Sequence, residues 1–166
     1  ADALGLHAIR LASQHLITAI EKPNKIESRS AMLIASTLAG CAFNQTGTGG
    51  AHAIGHALAT VAGIPHGRAV TIGLEVILPR NAKASPETHA AVADAFGYDK
   101  KAYQCLTAFS RLIDRTGTER LPPDIGIQPE LLAGVMLSPE NLPMIQNNAC
   151  PISDADVLEL AHYILI

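Results

Sequence analysis

Tryptophan is missing and only three Phe and three Tyr occur among 166 residues, so a hydrophobic core has to be built from Ala, Leu, Ile and Val. A core so poor in aromatic residues suits closely packed helices better than a β-sandwich. Hydrophobic residues make up 48% of the chain, enough to bury a sizeable core, and the expected fold class is all-α. With 12 basic and 15 acidic side chains the net charge is −3, which offers no electrostatic partner in nucleic acid or a membrane surface.

Cys41, Cys105 and Cys150 are widely separated and odd in number. That pattern is not a disulfide framework, and a reducing cytoplasm is the expected location. The longest apolar stretch, residues 31–43, is shorter than the roughly 18 residues of a spanning helix, and no basic-then-apolar leader opens the chain. The first residue is Ala1, which fits removal of an initiator Met or a piece of a longer protein.

Apolar residues recur at helical spacing over residues 2–20, where Leu4, Ala8, Leu11, Ala12 and Leu16 share a face, until Lys22-Pro23-Asn24 breaks the pattern. A second helix is expected over 26–44, ending in Gln45-Thr46-Gly47-Thr48-Gly49-Gly50. A third covers 51–62 and stops at Gly63, and a fourth starts at Pro65 and runs to 78, before Pro79. Residues 86–96 and 100–116 read as two further amphipathic helices. Six of the ten prolines fall in 121–151, so short helical turns and loops are expected there. Ser153-Asp154-Ala155-Asp156 has the layout of a capping box before a final helix.

The chemistry concentrates in residues 49–67, where His52, His56 and His66, three of the seven histidines, fall within fifteen positions. An i,i+4 spacing puts His52 and His56 on one helix face, and a helix followed by a short turn and a new helix start can return His66 toward them. Neutral imidazole is a common ligand for zinc, iron, copper and nickel, and a helix N-terminus disfavours imidazolium, keeping the His66 lone pair free. Ala53 stands where a zinc-peptidase helix needs its Glu, which disfavours metalloprotease chemistry. The glycine run 46–50 follows a helix rather than a strand, so it is not a dinucleotide cradle. His7, His15, His89 and His162 read as ordinary core or boundary residues, the cysteines as core thiols, and Glu75 as a salt-bridge or solvated carboxylate before an imidazole partner.

The run Ala39-Gly40-Cys41-Ala42-Phe43-Asn44, then Gly49, His52, His56, Gly63, Pro65-His66-Gly67 and Leu78-Pro79, resembles the C-terminal helical domain of iron-containing alcohol dehydrogenases. That family takes in maleylacetate reductases, and its fold is related to those of glycerol dehydrogenase and dehydroquinate synthase. Residues 2–10 look like the helix preceding the motif, and Asn148 with 153–160 like the family's last turn and helix. Asn148-Ala149-Cys150 stands where the family tends to have Asn-Pro-Arg.

The resemblance implies a divalent ion, Fe(II) or Zn(II), held by one Asp and three His. His52 and His66 correspond to two of those ligands, and His56 to a group that faces substrate and nicotinamide and relays a proton. The other Asp and His, one helical turn apart, and an NAD(P)-binding domain belong to a segment upstream of the matched residues. Residues 1–166 are thus expected to form a single helical metal- and substrate-binding domain, a multi-helix bundle like the dehydroquinate-synthase α-domain. It would be the helical half of a metal-dependent, NAD(P)-linked alcohol dehydrogenase or aldehyde or keto reductase. The isolated chain is expected to bind metal weakly and to be inactive, with a missing N-terminal domain as partner, a homodimer by family likeness, and neither nucleic acid nor membrane. The alternative is a stand-alone helical metal-binding or interaction module using all three histidines without a redox cofactor.

Overall fold

The computed structural model describes residues 1–121 and 125–165, and all regular structure among them is helical. In chain order the helices are α1 (Asp2–Glu21), α2 (Ile26–Thr46), α3 (Gly50–Ala62), α4 (His66–Ala84), α5 (Pro86–Ala95), α6 (Ala102–Thr116), α7 (Pro129–Met136), α8 (Leu142–Gln146) and α9 (Asp154–Leu165). The chain divides into two compact units, each discontinuous in sequence.

The first unit joins Ala1–Gly47 to Ser85–Thr118. Here α1 packs along α2, and a Cβ on Gly5 would lie 3.9 Å from that of Ala42, so the two helices run antiparallel about the Pro23 break. α5 and α6 pack together and against α1. The buried positions are small, as the composition requires: Ala8, Ala31, Ala35, Ala93, Ala95 and Ala108, with Ile17, Cys105 and Ile113 as the bulkier members.

The second unit joins Thr48–Ala84 to Glu119–Ile166 and is built around α3, which packs against α4, α7 and α8 while α7 packs on α9. Ala53, Ile54, Ala57 and Leu58 of α3 are fully buried, as are Leu132 and Met136 of α7 and Val157 of α9. α3 ends at Gly63 in the left-handed region (φ 64°), whose N–H caps the Ala59 carbonyl at 3.1 Å. A side chain is strained there, so glycine fixes where the hairpin turns.

Helix 4 differs from the sequence expectation. It continues through Pro79 to Ala84 rather than stopping at 78. The proline forfeits one helical hydrogen bond, but its ring is exposed and the turn beyond it is anchored from outside. Arg80 pairs with Asp156 at 2.9 Å and donates to the Pro151 carbonyl at 3.2 Å, and Asn81 donates to Asn148 at 3.2 Å. The capping box forms as read: Ser153 N–H and Oγ donate to Asp156 Oδ2 at 2.8 and 2.6 Å, and Asp156 N–H donates back to Ser153 Oγ at 3.2 Å.

Candidate metal centre

α3 and α4 approach so closely that only glycine fits at their crossing. A Cβ at Gly55 would come 2.8 Å from the Val70 backbone nitrogen, and one at Gly73 would run into the Ala51 carbonyl and sit 3.1 Å from Ile54 Cβ. With the helices this near and the Gly63 turn this short, the first residue of α4, His66, lands beside the first two turns of α3. The ring centres of His52 and His66 are 5.8 Å apart, those of His56 and His66 5.2 Å, and those of His52 and His56 6.1 Å.

The His52–His66 and His56–His66 spacings both suit a shared ion. Two imidazoles whose nitrogens each lie ~2.1 Å from one ion have ring centres roughly 5 to 6 Å apart at tetrahedral or wider angles. His52 is half-buried, and burial lowers its pKa, aided by the neighbouring His66 and then His56, which would repel a second imidazolium. The neutral ring that results keeps the lone pair a metal needs. No group of three or more His, Cys, Asp or Glu side chains with ion-holding geometry occurs among the described residues, the three histidines included.

His56 has a different environment. Its Nδ1 lies 3.2 Å from Oδ1 of Asn141, a buried residue just before α8. Both line a cavity of about 460 Å³ together with Thr60, Ser138 and Glu140. Asn141 carried no sequence signal, because its partner is 85 positions away.

The start of α3 is held by a second asparagine. Gly50 N–H donates to Asn148 Oδ1 at 3.1 Å, while Asn148 Nδ2 donates to Asn81 Oδ1 and to the Cys150 carbonyl, both at 2.7 Å. A Cβ on Gly50 would meet Ile152 at 2.9 Å and Asn148 Oδ1 at 3.1 Å, which accounts for the last glycine of the run. Glu75 is no imidazole partner: it takes a two-pronged bond from Arg120, 2.8 Å from Nη2 and 3.2 Å from Nε. Among the other histidines, His89 Nδ1 bonds the Ser85 carbonyl within its own turn at 2.8 Å, an ordinary helical role. No helix is long and apolar enough to cross a membrane among the described residues.

The model of the Fe-containing alcohol dehydrogenase family, C-terminal, matches residues 1–165. The chain is 35% identical over 130 residues to 1,3-propanediol dehydrogenase of Klebsiella pneumoniae, covering 78% of this chain and 33% of that protein. To a 1-propanol dehydrogenase of Salmonella typhimurium it is 37% identical over 116 residues, 69% of this chain and 31% of the relative. The chain thus spans about a third of the length of these curated relatives. Among solved structures, sulfoacetaldehyde reductase from Bifidobacterium kashiwanohense in complex with NAD+ superimposes with a TM-score of 0.87 at 27% identity, over 99% of this chain and 43% of that one. From its histidine-bearing hairpin to its closing helix, this chain belongs to the iron-containing alcohol dehydrogenase family and corresponds to its C-terminal helical part.

Proposed function

We propose that the chain is the metal- and substrate-holding part of a metal-dependent, NAD(P)-linked alcohol dehydrogenase or aldehyde or keto reductase. The observation that carries this reading is the grouping of His52, His56 and His66 at one hairpin, with His56 also bonded to Asn141 beside a cavity. His52 and His66 would hold a divalent ion, iron by the family's description, with zinc the alternative. The remaining ligands and the nicotinamide would be held by a part of the enzyme outside these residues. When bound, the ion supplies Lewis-acid stabilisation of charge on the substrate oxygen.

The chain's own residues do the rest. The apolar walls of α3, with Ala53, Ile54 and Ala57 fully buried, keep the histidine face rigid and limit water behind it. His56 takes the hydroxyl proton in alcohol oxidation and returns it in carbonyl reduction, as a general acid-base group does. The names of the relatives point to small primary alcohols and their aldehydes as the substrate class. The absence of a disulfide among Cys41, Cys105 and Cys150 supports a reducing compartment such as the cytoplasm.

The test is NAD(P)-linked oxidation of short-chain alcohols by the whole enzyme loaded with Fe(II). His56→Ala is expected to keep its metal and lose about 10²- to 10⁴-fold in kcat, the usual scale of general acid-base catalysis. An unchanged kcat in that variant would overturn the role given to His56.

A further inference from the structure

We infer that Asn141 is a positioning residue that holds His56 as the tautomer protonated on Nδ1, so that Nε2 keeps the lone pair that receives the substrate proton. This rests on the role proposed above for His56.

The orientation of the Asn141 amide decides the matter. Its Nδ2 lies 2.9 Å from the Val135 carbonyl oxygen, which can only accept. Oδ1 is therefore the atom turned to His56 Nδ1 at 3.2 Å, and an amide oxygen also only accepts. The shared proton must sit on Nδ1. Flipping the amide would set its oxygen against the Val135 carbonyl, two acceptors facing each other at a residue only 5% exposed. The backbone leaves little freedom to avoid this: Asn141 N–H donates to the Ser138 carbonyl at 2.9 Å, and its own carbonyl accepts from Met144 N–H at 2.9 Å.

A neutral imidazole carries one ring proton, so a proton committed to Nδ1 leaves Nε2 bare. In the oxidation direction the alcohol O–H bond breaks and its proton goes to Nε2, while an oxidised nicotinamide, when bound, would accept the hydride. The imidazolium formed keeps its Nδ1–H on Asn141. In the reverse direction the Nε2 proton goes to the oxygen of the reduced carbonyl. The other tautomer would present an N–H to the alcohol and could not take its proton.

Long-range proton–nitrogen correlation spectra of the ¹⁵N-labelled 166-residue chain, free of metal and cofactor and well above the ordinary histidine pKa of ~6.5, read the tautomer directly. His89 is an internal standard, because its Nδ1 faces the Ser85 carbonyl at 2.8 Å and must carry the proton. The expected result is a pyrrole-type Nδ1 and pyridine-type Nε2 for His56. Asn141→Leu moves His56 to the Nε2–H form that free histidine favours, with His89 unchanged.

An Nε2–H pattern in the unsubstituted chain overturns the inference. So does an Nδ1–H pattern that survives Asn141→Leu with His89 unchanged. If Asn141→Leu does not fold, the spectrum of the unsubstituted chain still decides. A normal Nδ1–H spectrum beside an enzyme indifferent to His56→Ala would instead reject the catalytic reading alone.

Discussion

Gly55 of α3 faces Val70 of α4 so closely that an added Cβ would stand 2.6 Å from Val70 Cγ2 and 2.8 Å from its Cα. The same crossing sets the distance between His52 and His66, so packing and site geometry are one variable. Gly55→Ala is expected to destabilise the fold by about 1 to 3 kcal/mol, the usual cost of overpacking, and to weaken metal retention. Gly134 of α7 has open space around its Cα and an ordinary φ, and Gly134→Ala should instead stabilise by about 0.5 to 1 kcal/mol. Urea unfolding of both variants checks the contrast. Equal effects of the two would contradict the close crossing.

Asn148 ties together the start of α3, the late turn of α4 and the strand of chain leading to α9. Asn148→Ala leaves Gly50 N–H and the Asn81 side chain without this partner in a half-buried place, and about 2 kcal/mol of lost stability is expected. Fraying should follow at Gly50 and in 80–84, the turn beyond Pro79, where hydrogen exchange of the backbone amides would show it.

Asp156 is pulled down from its ordinary 3.8 to about 2 by the Ser153 hydroxyl first, then the Ser153 N–H and Arg80. A carboxyl whose folded pKa is depressed contributes its stability in full above the unfolded value and loses it as pH falls through the folded one. The stability difference between the wild type and Asp156→Asn should therefore be constant above about pH 4 and shrink toward pH 2, the two ends set by the 3.8 and 2 above. Urea midpoints measured across that range test it. A difference independent of pH would contradict the capping-box charge.

Burial pushes the Cys105 thiol up to about 11, whereas Cys41 is exposed. At pH 8 a disulfide reagent should label Cys41 at once and Cys105 only as the chain unfolds, because the thiolate is the reactive form. Labelling of Cys105 as fast as Cys41 would contradict its place in the core.

What was legible in the sequence was local. The helix ends in the Gln45–Gly50 run and at Gly63, the start at Pro86 and the Ser153–Asp156 box are set by residues within a few positions of each other, and the structure keeps them. The histidine hairpin was legible for the same reason: i,i+4 spacing, one glycine stop and one proline start suffice to gather His52, His56 and His66. Pro79 misled, because the bonds that carry α4 past it come from Asn148, Pro151 and Asp156, 67 to 76 positions on. Asn141 was silent in the same way. The discontinuous division into two units was also hidden, since periodicity shows which face a helix buries but not against which helix.

The central claim is that His52 and His66 share an ion while His56 does not. It is tested most directly by Fe(II) titration of the 166-residue chain and its three single variants. Binding by the unsubstituted chain is expected to be weak, lost in His52→Ala and in His66→Ala, and kept in His56→Ala. Tight one-to-one binding that needs all three histidines would contradict it, and the chain would then be a metal module in its own right.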